Sequence, residues 1–202
     1  MVGSLRGILR SNKGQALIEL SLIAPLMLLL AYGAIEVGSV ISTYLTMTHT
    51  TREGANLASR GGSLPIDQNG ANYSNPDDIL DTIIKAAAPT LSATNQAQWR
   101  VIYSHIIRDA TPCPAEPCNY IVETGANGQI IRGNLNKQSK LGGKTGIPIP
   151  QSVLPGIQNV KNSQSFHVFE VFYDYSPYII TYVGKSINTN FYDRTIFTNV
   201  SG

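Results

Sequence analysis

The sequence predicts an α+β protein: a long N-terminal transmembrane helix extends into a small exported domain with an antiparallel sheet and at least one further helix. An apolar stretch without charged residues, 20–35, indicates the membrane helix. Two segments in which apolar side chains alternate, 99–108 and 166–175, indicate the sheet. The further helix is indicated by Asn75 and Pro76, residue types preferred at an N-cap and at the first helical position.

The basic residues at the N-terminus predict how the chain is oriented in a membrane. Arg6, Arg10 and Lys13 precede the apolar stretch, and no acidic residue accompanies them. By the positive-inside rule this leader stays in the cytoplasm, and the residues after the helix are exported. Of the 15 basic and 13 acidic residues, the leader takes these three basic ones, so the remainder has a formal charge of −1. The exported part therefore lacks the positive charge of a nucleic-acid-binding domain.

The apolar stretch is long enough to cross a bilayer if it is extended at both ends. A span needs about 20 apolar residues, and the stretch reaches this length if Glu19 and Glu36 lie near the two interfaces. Apolar and polar residues then alternate at three- and four-residue steps as far as Gly61 and Gly62, which predicts an amphipathic continuation and a stop. Pro25 lies inside the span and predicts a kink. The expected parts are a leader (1–14), a helix (15–62) and an exported domain (63–202).

Glu19 separates three interpretations of the N-terminus. A secretory signal cut near Gly33 would have its apolar part interrupted by this carboxylate, and an uncleaved anchor would have no use for it. Cleavage after Gly14 would give Glu19 a role, because a new ammonium group would form on Gln15, one helical turn away. Glu19 could neutralise that ammonium, or the one on a neighbouring subunit, in a setting of low dielectric constant. The third interpretation is favoured.

Four sequence signatures follow one another along the N-terminal part of the chain: Gly14-Gln-Ala-Leu-Ile-Glu19, Pro25, Ile35-Glu-Val-Gly38 and Thr51-Arg-Glu-Gly-Ala55. Together they resemble the TadE-like family, the minor pilins or pseudopilins of the Tad (tight adherence) pilus. Leu20 is a departure, since the family often has an aromatic residue there.

The resemblance implies cleavage between Gly14 and Gln15 by a prepilin peptidase and an assembly role for Glu19. It also implies other pilin and pseudopilin subunits, an inner-membrane assembly platform and the lipid bilayer as partners. The implied product is an adhesive surface pilus.

In the exported domain, apolar periodicity and turn residues predict one helix and five strands. The helix begins at Asn75 and ends before Pro89. The tyrosines of the segment 166–175 are expected to pack in the sheet. The last strand is expected to be broken at Asp193 and Arg194. The predicted strands are 99–108, 119–124, 129–132, 166–175 and 187–200.

Two features between the strands have structural or binding interpretations. Cys113 and Cys118 enclose a proline-rich spacer, which predicts a small disulfide loop that closes a hairpin in an exported chain. Two cysteines are too few for a structural zinc site. The segment 133–165 is rich in Gly, Asn, Lys and Pro, which predicts a long irregular loop. Such a loop is either a partner-binding surface or disordered, and the sequence leaves both open.

No motif indicates catalysis, a metal or a cofactor. His49, His105 and His167 lack metal-ligand spacing, and Gly142-Gly-Lys-Thr145 lacks the first glycine of a phosphate loop. The expected function is therefore that of a minor pilin-like subunit that initiates, primes or caps a pilus. The alternative is a membrane-anchored binding or adhesion domain that does not enter a filament. A secreted enzyme would need an active constellation that the sequence does not contain.

Overall fold

A computed structural model describes residues 12–60, 79–108, 120–122, 129–141, 148–149, 165–177 and 189–199. It confirms the predicted class, with a long N-terminal helix followed by an antiparallel sheet and further helical segments. The helices are α1 (Asn12–Arg60), α2 (Ile79–Ala86) and a 3-10 helix (Ala93–Gln98). The strands are β1 (Trp99–Arg108), β2 (Tyr120–Val122), β3 (Gln129–Arg132), β4 (Pro148–Ile149), β5 (Ser165–Tyr175) and β6 (Thr189–Asn199).

The chain divides into two compact units, and the boundary crosses α1. The first unit holds residues 1–42 and 177–187, and it contains the apolar part of the helix. The second holds residues 43–176 and 188–202, and it contains the C-terminal part of α1 together with the sheet. The helix therefore contributes to two structural units rather than serving only as an anchor.

The sheet is built around β1. On one side β1 pairs with β5 over most of its length, and β6 pairs with the far side of β5. On the other side the start of β1 pairs with β3 and its end with β2, which in turn pairs with β4. All of these pairs are antiparallel, so the strand order is β4-β2-β1-β5-β6 with β3 beside β1. One edge of the sheet thus consists of short strands and the other of a single long strand.

Both faces of β1 and β5 are buried. Trp99, Phe166 and Phe169 are among the largest fully buried side chains. Ile102 and Phe172 cluster with Leu135 from the segment after β3, so that segment covers one face. The other face carries α2, whose Asp81 accepts a hydrogen bond of 3.2 Å from buried Arg132 of β3. Because both faces are covered, apolar side chains occur on both faces of these two strands.

Two sequence predictions need correction. β6 is not broken at Asp193 and Arg194, because both residues keep their ladder partners, Val171 and Glu170. The segment 133–165 is not irregular throughout, since Pro148–Ile149 pairs with β2. The second strand is described over Tyr120–Val122, within the predicted range 119–124. The other residues of that range lie outside the described part of the chain. The predicted bounds of β1 and β3 are confirmed. Asn75 and Pro76 lie outside the described residues, and α2 ends at Ala86, ahead of Pro89.

Candidate functional site

The residues predicted for processing and assembly lie together at the start of α1. The helix begins at Asn12 and continues through Gly14 and Gln15. The side-chain amide of Gln15 donates a hydrogen bond of 3.1 Å to Oε1 of Glu19, and both side chains are exposed. In the described part of the chain, no side chain lies within 4 Å of the position that a Cβ on Gly14 would take. The Glu19 carboxylate can therefore reach the turn of the helix in which the predicted cleavage site lies.

An exposed apolar surface follows this group. The segment Gly14–Leu57 is the one described helix that is long and apolar enough to cross a membrane. Its apolar side chains are largely exposed, with Leu22 at 72% and Leu29 at 68%. A surface of this kind is not stable in water, so it needs lipid or other apolar helices around it. The apolar side chains that are more than half exposed include Leu17, Ile18, Leu20, Leu26, Met27, Leu28, Leu30, Ile35 and Val37.

The C-terminal part of α1 packs on the sheet within the second unit. Met47 and Ala55 are fully buried. The hydroxyl of Thr51 donates a hydrogen bond to the carboxylate of Asp193 on β6. Thr51 is itself completely buried, so this bond satisfies polar groups that would otherwise be costly to desolvate. This end of the helix is therefore part of the core of the second unit.

At Gly54 the backbone of α1 comes close to the sheet. A Cβ at this position would lie 2.7 Å from two ring carbons of Phe169, which is itself almost completely buried. No real Cβ contact is this short, so the approach requires glycine. The family signature Thr51–Ala55 now has a packing explanation: Thr51, Gly54 and Ala55 face the sheet, whereas Arg52 and Glu53 are exposed.

A buried carboxylate fastens the segment after β3 to the sheet. Glu170 on β5 is fully buried. It accepts hydrogen bonds from the Ser139 hydroxyl, from the Lys140 amide at 3.0 Å and from the Tyr192 hydroxyl at 2.8 Å. Burial and the neighbouring Glu170 raise the pKa of Tyr192 well above its usual value, so Tyr192 remains a donor. Residues 134–141 are thus held against the sheet, whereas residues 142–147 and 150–164 of the predicted loop lie outside the described part of the chain.

Two of the three histidines come together across β1 and β5. The rings of His105 and His167 stack with centroids 4.8 Å apart, although 62 positions separate them in the chain. Nδ1 of His167 lies 2.7 Å from the Tyr103 hydroxyl. Nε2 of His167 is buried, and no residue in the described ranges gives it a hydrogen bond. Burial, and then the charge of His105, lower the pKa of His167 to about 4. This imidazole is therefore neutral at pH 7.

The lowered pKa of His167 predicts that the sheet domain loses stability in mild acid. The unfolded histidine has a pKa of about 6.5, so between that pH and about 4 the unfolded chain binds the proton first. We expect His167 to lower the free energy of unfolding by roughly 1–3 kcal/mol over this range and to contribute no further loss below it. Urea titrations between pH 7.5 and 4 measure the effect through the fluorescence of Trp99, the single tryptophan.

The control for this prediction separates His167 from the carboxylates that also titrate in acid. The variant His167→Phe keeps an aromatic ring in the stack but cannot bind the proton. Between pH 7.5 and 4 it should therefore lose less stability than the parent protein, by the amount that His167 contributes. The variant His49→Gln changes an exposed histidine on α1 and should behave like the parent protein. Equal pH dependence in all three proteins would contradict the assignment.

Sequence reasoning missed the polar contacts that hold the domain together. Thr51 and Asp193 are 142 positions apart, and no local pattern connects them. Glu170 did leave a signal, since it is the single acid within an otherwise apolar part of β5. Cys113 and Cys118 lie outside the described residues, so their disulfide stays a prediction.

Comparison with known proteins addresses the N-terminal part of the chain. The family model described as TadE-like protein matches residues 14–56. This range begins at the predicted cleavage site, includes Glu19 and ends just after Gly54 and Ala55, which pack on the sheet. No curated protein and no solved structure shows significant similarity to the chain. Over residues 14–56, the chain thus matches the TadE-like family that its sequence signatures resemble.

Proposed function

We propose that the protein is a pilin-like structural subunit of a Tad-type surface pilus. The observation that carries the proposal is the coincidence of the family match with an exposed apolar helix over the same residues. A soluble domain would bury such a surface, whereas a membrane-held subunit awaiting assembly needs it exposed to lipid or to neighbouring helices. The last turns of α1 belong to the core of the exported domain, so one continuous helix would link that domain to an assembly.

In this proposal a prepilin peptidase cleaves between Gly14 and Gln15. The side-chain amide of Gln15 now bonds to Glu19. Cleavage would add an α-ammonium group at Gln15, which can form a stronger, charge-assisted contact with the same carboxylate or with that of an adjacent subunit. A carboxylate at a membrane edge is costly without a partner, so pairing two subunits in this way favours assembly.

In this proposal the positive-inside rule keeps the basic leader in the cytoplasm, so the sheet domain would lie outside the inner membrane. The assembly platform and other pilin or pseudopilin subunits would then be the partners. Within the pilus, the domain would act as an initiating, priming or tip element that contributes to adhesion. The initiating, priming and tip roles are proposed from the resemblance to the family. Cleavage between Gly14 and Gln15 is the first step to test.

The mature N-terminus tests this proposal directly. We expect mass spectrometry of protein isolated from native membranes to give a chain that begins at Gln15. In a strain without its prepilin peptidase, the chain should retain the leader. A start at Met1 in both strains would indicate a plain membrane anchor that carries a binding domain. A start at Ala34 would indicate a secreted domain, and either result would remove the proposed role of Glu19.

A further inference from the structure

Within the described sheet, β6 is a long edge strand, and only one of its two sides pairs with a described strand. Its 11 residues pair with β5 along the entire strand, and it ends the strand order of the described sheet. Every second residue of such a strand directs its backbone N–H and C=O groups away from the sheet. At the opposite edge, β3 and β4 have only 4 and 2 residues. Among the described strands, only β6 therefore offers a long, continuous row of free backbone groups.

Both faces of β6 are covered, so the strand is held in place without a further neighbour. On one face, Thr51 bonds to Asp193 and the ring of Tyr44 lies 6.3 Å from that of Phe191. On the other face, the ammonium of Lys140 lies 3.8 Å above the ring centre of Tyr192. An extended strand that is already ordered loses little conformational entropy when it pairs. β6 is thus already in the extended conformation that an added strand requires.

β6 itself carries few of the features that usually protect a sheet edge. Exposed edges are commonly blocked by lysine, proline, bulges or short strands. β6 contains neither lysine nor proline, and its register with β5 runs without a bulge from Thr189 to Asn199. Its charged residues are Asp193 and Arg194, which are adjacent and point to opposite faces. An unprotected edge of this length favours pairing with another strand.

We propose that the β6 edge binds an extended segment of a different polypeptide chain as an added antiparallel strand. Cross-strand neighbours of opposite charge stabilise such pairs. The segment should therefore carry a basic residue opposite Asp193 and an acidic residue opposite Arg194. A second copy of this protein fits less well, because full overlap of two β6 strands about a two-fold axis sets Arg194 opposite Arg194. Strand binding at the β6 edge does not depend on whether the protein enters a filament.

The test uses the full chain in detergent micelles and a synthetic peptide as long as β6, 11 residues. The peptide alternates valine and threonine, with lysine opposite Asp193 and glutamate opposite Arg194. Hydrogen exchange should show that alternate amides of β6 exchange rapidly in the free protein and become protected when the peptide is added. A peptide with the two charges exchanged should bind about tenfold more weakly, as two cross-strand charge pairs would require.

A matched pair of variants tests the contribution of charge. Arg194→Gln should reduce the preference between the two peptides, whereas Arg52→Gln, which changes an exposed cation on α1, should leave it unchanged. Lack of protection at saturating peptide would overturn the proposal, as would β6 amides that are already protected in the free monomer. Protection that grows with protein concentration, together with a doubled mass, would overturn it by assigning the edge to a second copy.

Discussion

Replacing Glu19 with alanine is expected to reduce the number of surface pili at least tenfold while the protein still inserts into the membrane. The carboxylate is exposed at the start of α1, and its bond to Gln15 is the one polar side-chain contact that the described structure gives it. Its loss should leave the fold intact and remove the partner for an N-terminal ammonium. A tenfold effect requires only about 1.4 kcal/mol per assembly step, which is modest for an ion pair at low dielectric constant.

Two further variants distinguish charge from other properties of Glu19. Glu19→Gln keeps a hydrogen-bonding side chain of the same size but removes the charge, so it should resemble alanine if the ammonium is the partner. Glu53→Ala removes an exposed acid from the same helix beyond the apolar stretch and should leave the number of pili unchanged. Electron microscopy of sheared cells gives the count, and membrane fractionation checks insertion. Normal piliation in Glu19→Ala would contradict the assembly mechanism.

Replacing Gly54 with leucine is expected to destabilise the sheet domain by about 2 kcal/mol. Forcing extra atoms into a packed core costs roughly 1–3 kcal/mol or more, and here the first added atom would lie 2.7 Å from the ring of Phe169. The higher helix propensity of leucine offsets about 1 kcal/mol of that cost. The measurement is urea unfolding of the full chain in micelles, followed by the fluorescence of buried Trp99.

Gly38→Leu is the matched control, because it introduces the same side chain into the same helix. No described neighbour lies within 4 Å of a Cβ at Gly38, so unfolding of the sheet domain should not change. A Gly54→Leu variant as stable as the parent protein would contradict the close packing of α1 against Phe169 of β5. If both variants were destabilised equally, the effect would come from the helix rather than from its contact with the sheet.

Local patterns in the sequence were enough to predict the long helix and the most regular strands. A charge-free apolar stretch has few alternatives to a membrane helix, and α1 extends to Arg60, close to the paired glycines that predicted its stop. The bounds of β1 and β3 were also predictable, since alternation and flanking turn residues act within a few positions. The grouping of Gly14, Gln15 and Glu19 follows from helical periodicity alone.

Contacts between distant segments account for the features that local patterns did not predict. Asp193 and Arg194 suggested a break in β6, but the ladder with β5 and the bond from Thr51 overrode the weak local preference of two charged residues. Gly54 was recognised as part of a signature, yet its need for glycine comes from Phe169, 115 positions later. The course of the helix and the positions of the strands could be predicted from the amino-acid order, because those choices are local. Packing between segments decided which residues are buried, paired or left at an open edge. The reason is that distant parts of the chain provide the contacts that bury or pair a residue.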